Sequence, residues 1–92
     1  MLGAHRHKEL RTRAIGLVDL ELDRLRAAGP DAVRELVEQS PLQSEHDGIA
    51  LTTHVDPEGP LLLVLVEAWR KRRMLATGGF TMRPDGTAHT PH

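Results

Sequence analysis

His54 and Asp56 stand two apart in a segment whose residues alternate, so on a strand both side chains leave the same face, as a base and its orienting carboxylate do. With Glu67 on a neighbouring strand they make a set of groups able to move a proton in a small hydrolase or lyase. A solvent-facing polar cluster beside a turn uses the same residues and needs no chemistry. Ser44, His46 and Asp47 supply the residue types of a hydrolase triad, but a working triad converges from separate segments. Ser40 and Ser44 are the only serines, and neither sits in a G-x-S-x-G elbow. That stretch is read as a turn. The chain has six histidines, and the pairs His5/His7 and His89/His92 bring imidazoles together if the termini meet. No carboxylate accompanies them at a recognisable spacing, and the absence of cysteine removes thiolate catalysis and every Cys-based zinc site. Gly78-Gly79 lacks the Lys-Ser/Thr partner of a phosphate loop and is read as a bulge or a close backbone approach. No enzyme, no metal centre and no cofactor is expected.

Arg70-Lys71-Arg72-Arg73 is the sharpest charge feature. A net charge of −1 hides an uneven distribution. Residues 1–14 carry Arg6, Lys8, Arg11 and Arg13 against Glu9, residues 15–69 carry three Arg against eleven acids, and residues 70–92 carry five bases against Asp85. Either the basic ends fold back on the acidic middle, which is the preferred reading, or they meet and form a positive patch for an anionic partner. In the second case Arg70, Lys71, Arg72 and Arg73, with Arg11 and Arg13, bind nucleic acid through its phosphates. Trp69 and Phe80 are the only aromatic residues, too few to fill a core and stack bases as well, which excludes the modules that bind single strands on aromatic platforms.

The elements that position these residues follow from periodicity. Leu10, Ala14, Leu17, Val18, Leu22, Leu25 and Ala28 recur at helical spacing, which predicts a helix over about 7–28, ended by Gly29 and Pro30. Gly16 inside it is unfavourable by roughly 1 kcal/mol relative to Ala and is read as the mark of a close contact. Ala32, Val33, Leu36 and Val37 predict a second helix over 30–39, stopping before Pro41, followed by a polar loop, SPLQSEHDG. Strands are expected over about 49–56, 61–70 and 74–83, with type I turns at Asp56-Pro57-Glu58-Gly59 and Arg83-Pro84-Asp85-Gly86 and a C-terminal tail at 84–92. Met74, Ala76, Gly78, Phe80 and Met82 are placed on one face of the last of these strands. The expected architecture is α+β: one domain over 1–92, with two N-terminal helices packed on one face of a three- to four-stranded antiparallel β-meander.

Leu61 to Val66 is apolar on both faces of its strand, Leu61, Leu63 and Leu65 on one and Leu62, Val64 and Val66 on the other. Two short helices cover only one face of a sheet, so a second copy, another protein or the N-terminal segment has to cover the second. The interface is assigned to Leu62, Val64, Val66 and Trp69, and on that assignment Val64→Glu breaks association. The function read from the sequence is therefore a protein–protein interaction domain, a homodimer or a small subunit that scaffolds or inhibits a partner. The amino terminus lacks the apolar run of a signal peptide, and the longest apolar stretch is too short to span a bilayer, so a soluble cytoplasmic protein is expected.

Overall fold

The computed structural model describes residues 2–90, with side chains for residues 8–90. Helix α1 (Leu2–Ala28) is followed by the six-residue α2 (Pro30–Glu35), a 3-10 turn (Val37–Gln39), and strands β1 (Leu42–His46), β2 (Ile49–Glu58), β3 (Leu61–Arg70), β4 (Arg73–Met82) and β5 (Ala88–His89). The strands form one antiparallel sheet in the order β1-β2-β3-β4-β5. The class is α+β with a helix on the sheet, as the periodicity implies, but the sheet has five strands rather than three or four.

The two extra strands have different origins. Leu42-Gln43-Ser44-Glu45-His46 has little apolar character, yet it pairs with β2 because Asp47-Gly48 makes a two-residue hairpin turn, His46 opposite Ile49. Both turn residues adopt positive φ, 51° and 83°, the geometry for which Asp-Gly is a preferred sequence. At the other end, the turn at Arg83–Gly86 closes with Gly86 N–H donating to the Arg83 carbonyl at 2.9 Å, and Ala88 and His89 then pair with Met82 and Thr81. The expected turn at 56–59 lies two residues later. β2 continues through Pro57 and Glu58, and Gly59-Pro60 joins Glu58 to Leu61.

α1 lies across β3 and β4 with Ala14, Val18, Leu22 and Leu25 buried, the stripe anticipated from spacing. It meets Ile49, Leu51 and Val55 of β2, Leu62, Val64, Val66 and Ala68 of β3, and Phe80 and Met82 of β4, one contiguous core. Each Leu, Ile, Val, Phe or Met side chain among them, removed fully from water, contributes about 1.5–3 kcal/mol. Gly78 sets the approach: a Cβ there would lie 3.0 Å from Leu22 Cδ1 and 3.2 Å from Val18 Cγ1. Gly16, by contrast, has nothing within 4 Å of where its Cβ would be, so it marks no contact. The second helix ends at Glu35, not 39, and buries only Val33. The covering of the sheet therefore falls to α1 rather than to a pair of helices. A bulge between Ala68 and Trp69 opposes Trp69 to Met74 and frees Leu75 to pack against the core, which removes Met74 from the face it was expected to share with Ala76 and Phe80.

Thr53 is the one buried polar residue among those described. Its hydroxyl donates to Glu21 Oε2 at 3.0 Å, and Arg24 Nε donates to Glu21 Oε1 at 2.7 Å, so a three-membered chain ties α1 to β2. Burial pushes the Glu21 carboxyl up, but the hydrogen bonds from Arg24 and Thr53 outweigh it and hold the group below its ordinary 4.5. A folded pKa below the unfolded one means stability that is present above pH 4.5 and lost as pH falls through the folded value. Glu21→Gln is expected to flatten the acid limb of the thermal midpoint between about pH 5 and pH 3 relative to wild type, followed by circular dichroism.

Candidate functional site

Alternation along β2 and β3 divides their side chains between two environments. On β2, Ile49, Leu51, Thr53 and Val55 are buried, whereas Ala50 and Asp56 are exposed and Thr52 and His54 half-buried. Register places Leu51 beside Ala68, Thr53 beside Val66 and Val55 beside Val64, so the even-numbered residues of β3 share the covered face. Leu62, Val64 and Val66 are 1%, 3% and 0% exposed. They are core, and their assignment to an interface is corrected: β2 has a single apolar face, and α1 covers that face together with whatever is in register with it.

The uncovered face carries Leu61, Leu63, Leu65, Glu67 and Trp69 of β3. Leu65 is 43% exposed, and Leu61, Leu63 and Trp69 are half-buried although no helix lies over them. Of the four residues assigned to the interface, only Trp69 belongs to this side, at the hairpin end of the stripe. Across it, Leu65 is flanked by His54 and Gly79, and Leu63 by Asp56 and Thr81. An apolar row on a central strand, bordered by polar residues, is the form a docking surface takes.

His54 and Glu67 do meet on this face, with the ring N–H at Nε2 donating to Glu67 Oε1 over 3.0 Å. Asp56 makes no hydrogen bond to either. Register sets Thr52 and Thr77 on either side of Glu67, and Thr77 is committed to the Val66 carbonyl, to which its hydroxyl donates at 3.1 Å. Ser44 and His46 lie on β1, not in a loop, and hydrogen-bond over 3.0 Å. Asp47 is engaged instead by Arg13 at 2.6 Å, so the three residue types do not assemble as a triad. Among the described residues no group of three or more His, Asp or Glu is placed to hold a metal ion. His89 is exposed on β5, and the side chains of His5 and His7, with all of His92, lie outside the described residues.

The basic segments converge. Arg70 joins Arg13, Leu10 and Glu9 around one concavity, and Arg11 joins Arg73, Met74 and Leu75 around another. A third, of about 410 Å³, is lined by Leu10 and Leu75 together with Arg70, Lys71, Arg72 and Arg73. Of the arginines at the amino-terminal end, Arg13 reaches acidic Asp47, while Arg11 and Arg13 also lie beside the β3–β4 hairpin. On the uncovered face, strand positions hold Glu45, Asp56, Glu58 and Glu67 and no Lys or Arg.

No helix among the described residues is long and apolar enough to cross a membrane. No family model matches the chain, and neither a curated protein nor a solved structure matches it.

The two faces of β3 are separable by one pair of variants. Val64→Glu buries an unpaired carboxylate in the core and is expected to abolish cooperative unfolding, at several kcal/mol. Leu65→Glu, one residue on, should melt within about 1 kcal/mol of wild type by circular dichroism.

Proposed function

We propose that this chain is a non-enzymatic protein–protein association domain, a small subunit or a homodimer, which scaffolds or occludes a protein partner through the uncovered face of its sheet. The observation that carries the reading is Leu65, 43% exposed at the middle of the central strand, with Leu61, Leu63 and Trp69 in the same row. Such a row gains free energy only when something removes it from water, and α1 occupies the opposite side. The His54–Glu67 hydrogen bond borders this row and leaves Asp56 out, so the three groups do not assemble as a base with an orienting carboxylate.

A second reading has a specific observation of its own. Arg11 and Arg13 of α1 gather beside the Arg70–Arg73 hairpin, which favours an anionic partner, nucleic acid above all, at that end of the molecule. On this reading the affinity for a DNA duplex falls linearly in log–log form with salt. Arg70→Glu combined with Arg72→Glu then reduces it by about tenfold or more. An affinity indifferent to salt and to those changes rejects it.

The leading reading is tested by a photo-cross-linking amino acid in place of Leu65, activated in the cells that make the protein. The expected result is one discrete adduct, at twice the chain mass or at the mass of the chain plus one other protein. The same group in place of the exposed Glu38 should give no discrete adduct. Loss of any discrete product from position 65 overturns the reading.

A further inference from the structure

The uncovered face is acidic as well as apolar, and the combination restricts what can lie on it. Glu67 is held by His54 at 3.0 Å. Asp56 and Glu58 are exposed, and among the described residues neither forms an ion pair. They lie on β2 opposite Leu63 and Leu61, so the apolar row has carboxylates along one flank. A second copy stacked face to face with its strands running the same way brings both sets of carboxylates together, which charge disfavours. Stacked the opposite way it turns its Arg70–Arg73 hairpin toward Asp56 and Glu58, an arrangement that the mass of the position-65 adduct tells apart from a second protein. Nucleic acid and anionic lipid are repelled by the same groups. The complementary surface is cationic and carries its own apolar stripe.

The shape completes the argument. β2, β3 and β4 are ten residues each, so the face is roughly 33 Å long and its three long strands are about 10 Å across between axes. A helix of about 20 residues is 30 Å long and about 10 Å in diameter. The other side of the same sheet is already covered in that way by α1. We propose that the face binds a cationic amphipathic helix of a second protein, laid along β3 with its apolar side chains on Leu61, Leu63, Leu65 and Trp69 and its Lys or Arg side chains on Asp56 and Glu58. This rests on the reading of the face as an association surface and names its partner by chemistry.

Trp69 is the only tryptophan, so its emission reports the face directly. The probe is a synthetic helical peptide of about 18 residues, with Leu on one side, Lys on its flanks and no Trp, titrated into the full chain. The expected result is a saturable change in Trp69 emission. Its sister peptide with Glu in place of Lys binds about tenfold or more weaker, and the difference narrows as salt is raised. Leu65→Ser weakens binding of the Lys peptide by about tenfold or more, and Asp56→Lys with Glu58→Lys reverses the preference between the two peptides. Equal affinity for both peptides, no binding of either, or binding indifferent to Leu65→Ser overturns the inference. So does a larger response to anionic vesicles than to the Lys peptide. An adduct from position 65 at twice the chain mass overturns this inference and leaves the association reading standing, whereas the absence of any discrete adduct removes both.

Discussion

The apolar side of β2 decides the arrangement of the rest. Ile49, Leu51 and Val55 face one way and Ala50, Thr52, His54 and Asp56 the other, so only one side of that strand is worth covering. Once two-residue turns fix the hairpins on both sides of it, every neighbour inherits the choice: Val64 and Val66 come beside Val55 and Thr53, and Phe80 and Gly78 beside Val64 and Val66. α1 then settles where Gly78 leaves room. Thr53 is the exception on that side, and its hydroxyl is answered by Glu21 from the helix rather than left orphaned.

This also explains which parts of the structure were legible in the sequence. The α1 stripe and the alternation of β2 are strong periodic signals: α1 ends at Ala28 as expected but begins at Leu2 rather than about residue 7, and β2 begins at Ile49 and runs two residues beyond 56. The class followed from them. β1 went unrecognised because Leu42 to His46 shows little apolar alternation, although Asp47-Gly48 just before Ile49 is a strong short-range hairpin signal. The bulge at Leu75 shifts the phase of the alternation, but only Arg73 and Met74 of β4 precede it, too short a stretch for periodicity to register.

The interface assignment erred for a different reason. That β3 is apolar on both sides was legible, and so was the consequence that one side needs a cover. Apolar character alone does not choose between Leu62, Val64 and Val66 and their odd-numbered neighbours; the register does. Any hairpin turn with an even number of residues sets the even positions of β3 beside the odd positions of β2, and those odd positions are the apolar ones. Trp69 could not have shared a face with Val64 in any regular strand. The convergence of Arg11 and Arg13 on the Arg70–Arg73 hairpin was anticipated as an alternative, but it is a tertiary fact. It depends on where α1 crosses the sheet, which spacing along the chain does not encode.

β3 is hydrogen-bonded to a ten-residue strand on each side and backed by the core, so its backbone is the part of the molecule least free to rearrange. The apolar row displayed on it is therefore rigid before anything arrives. A partner meeting Leu61, Leu63 and Leu65 orders no loop and folds no segment of this chain, so the backbone entropy that a mobile loop loses on contact has here been surrendered during folding. Discrimination at such a surface comes from fit and charge rather than from adaptation.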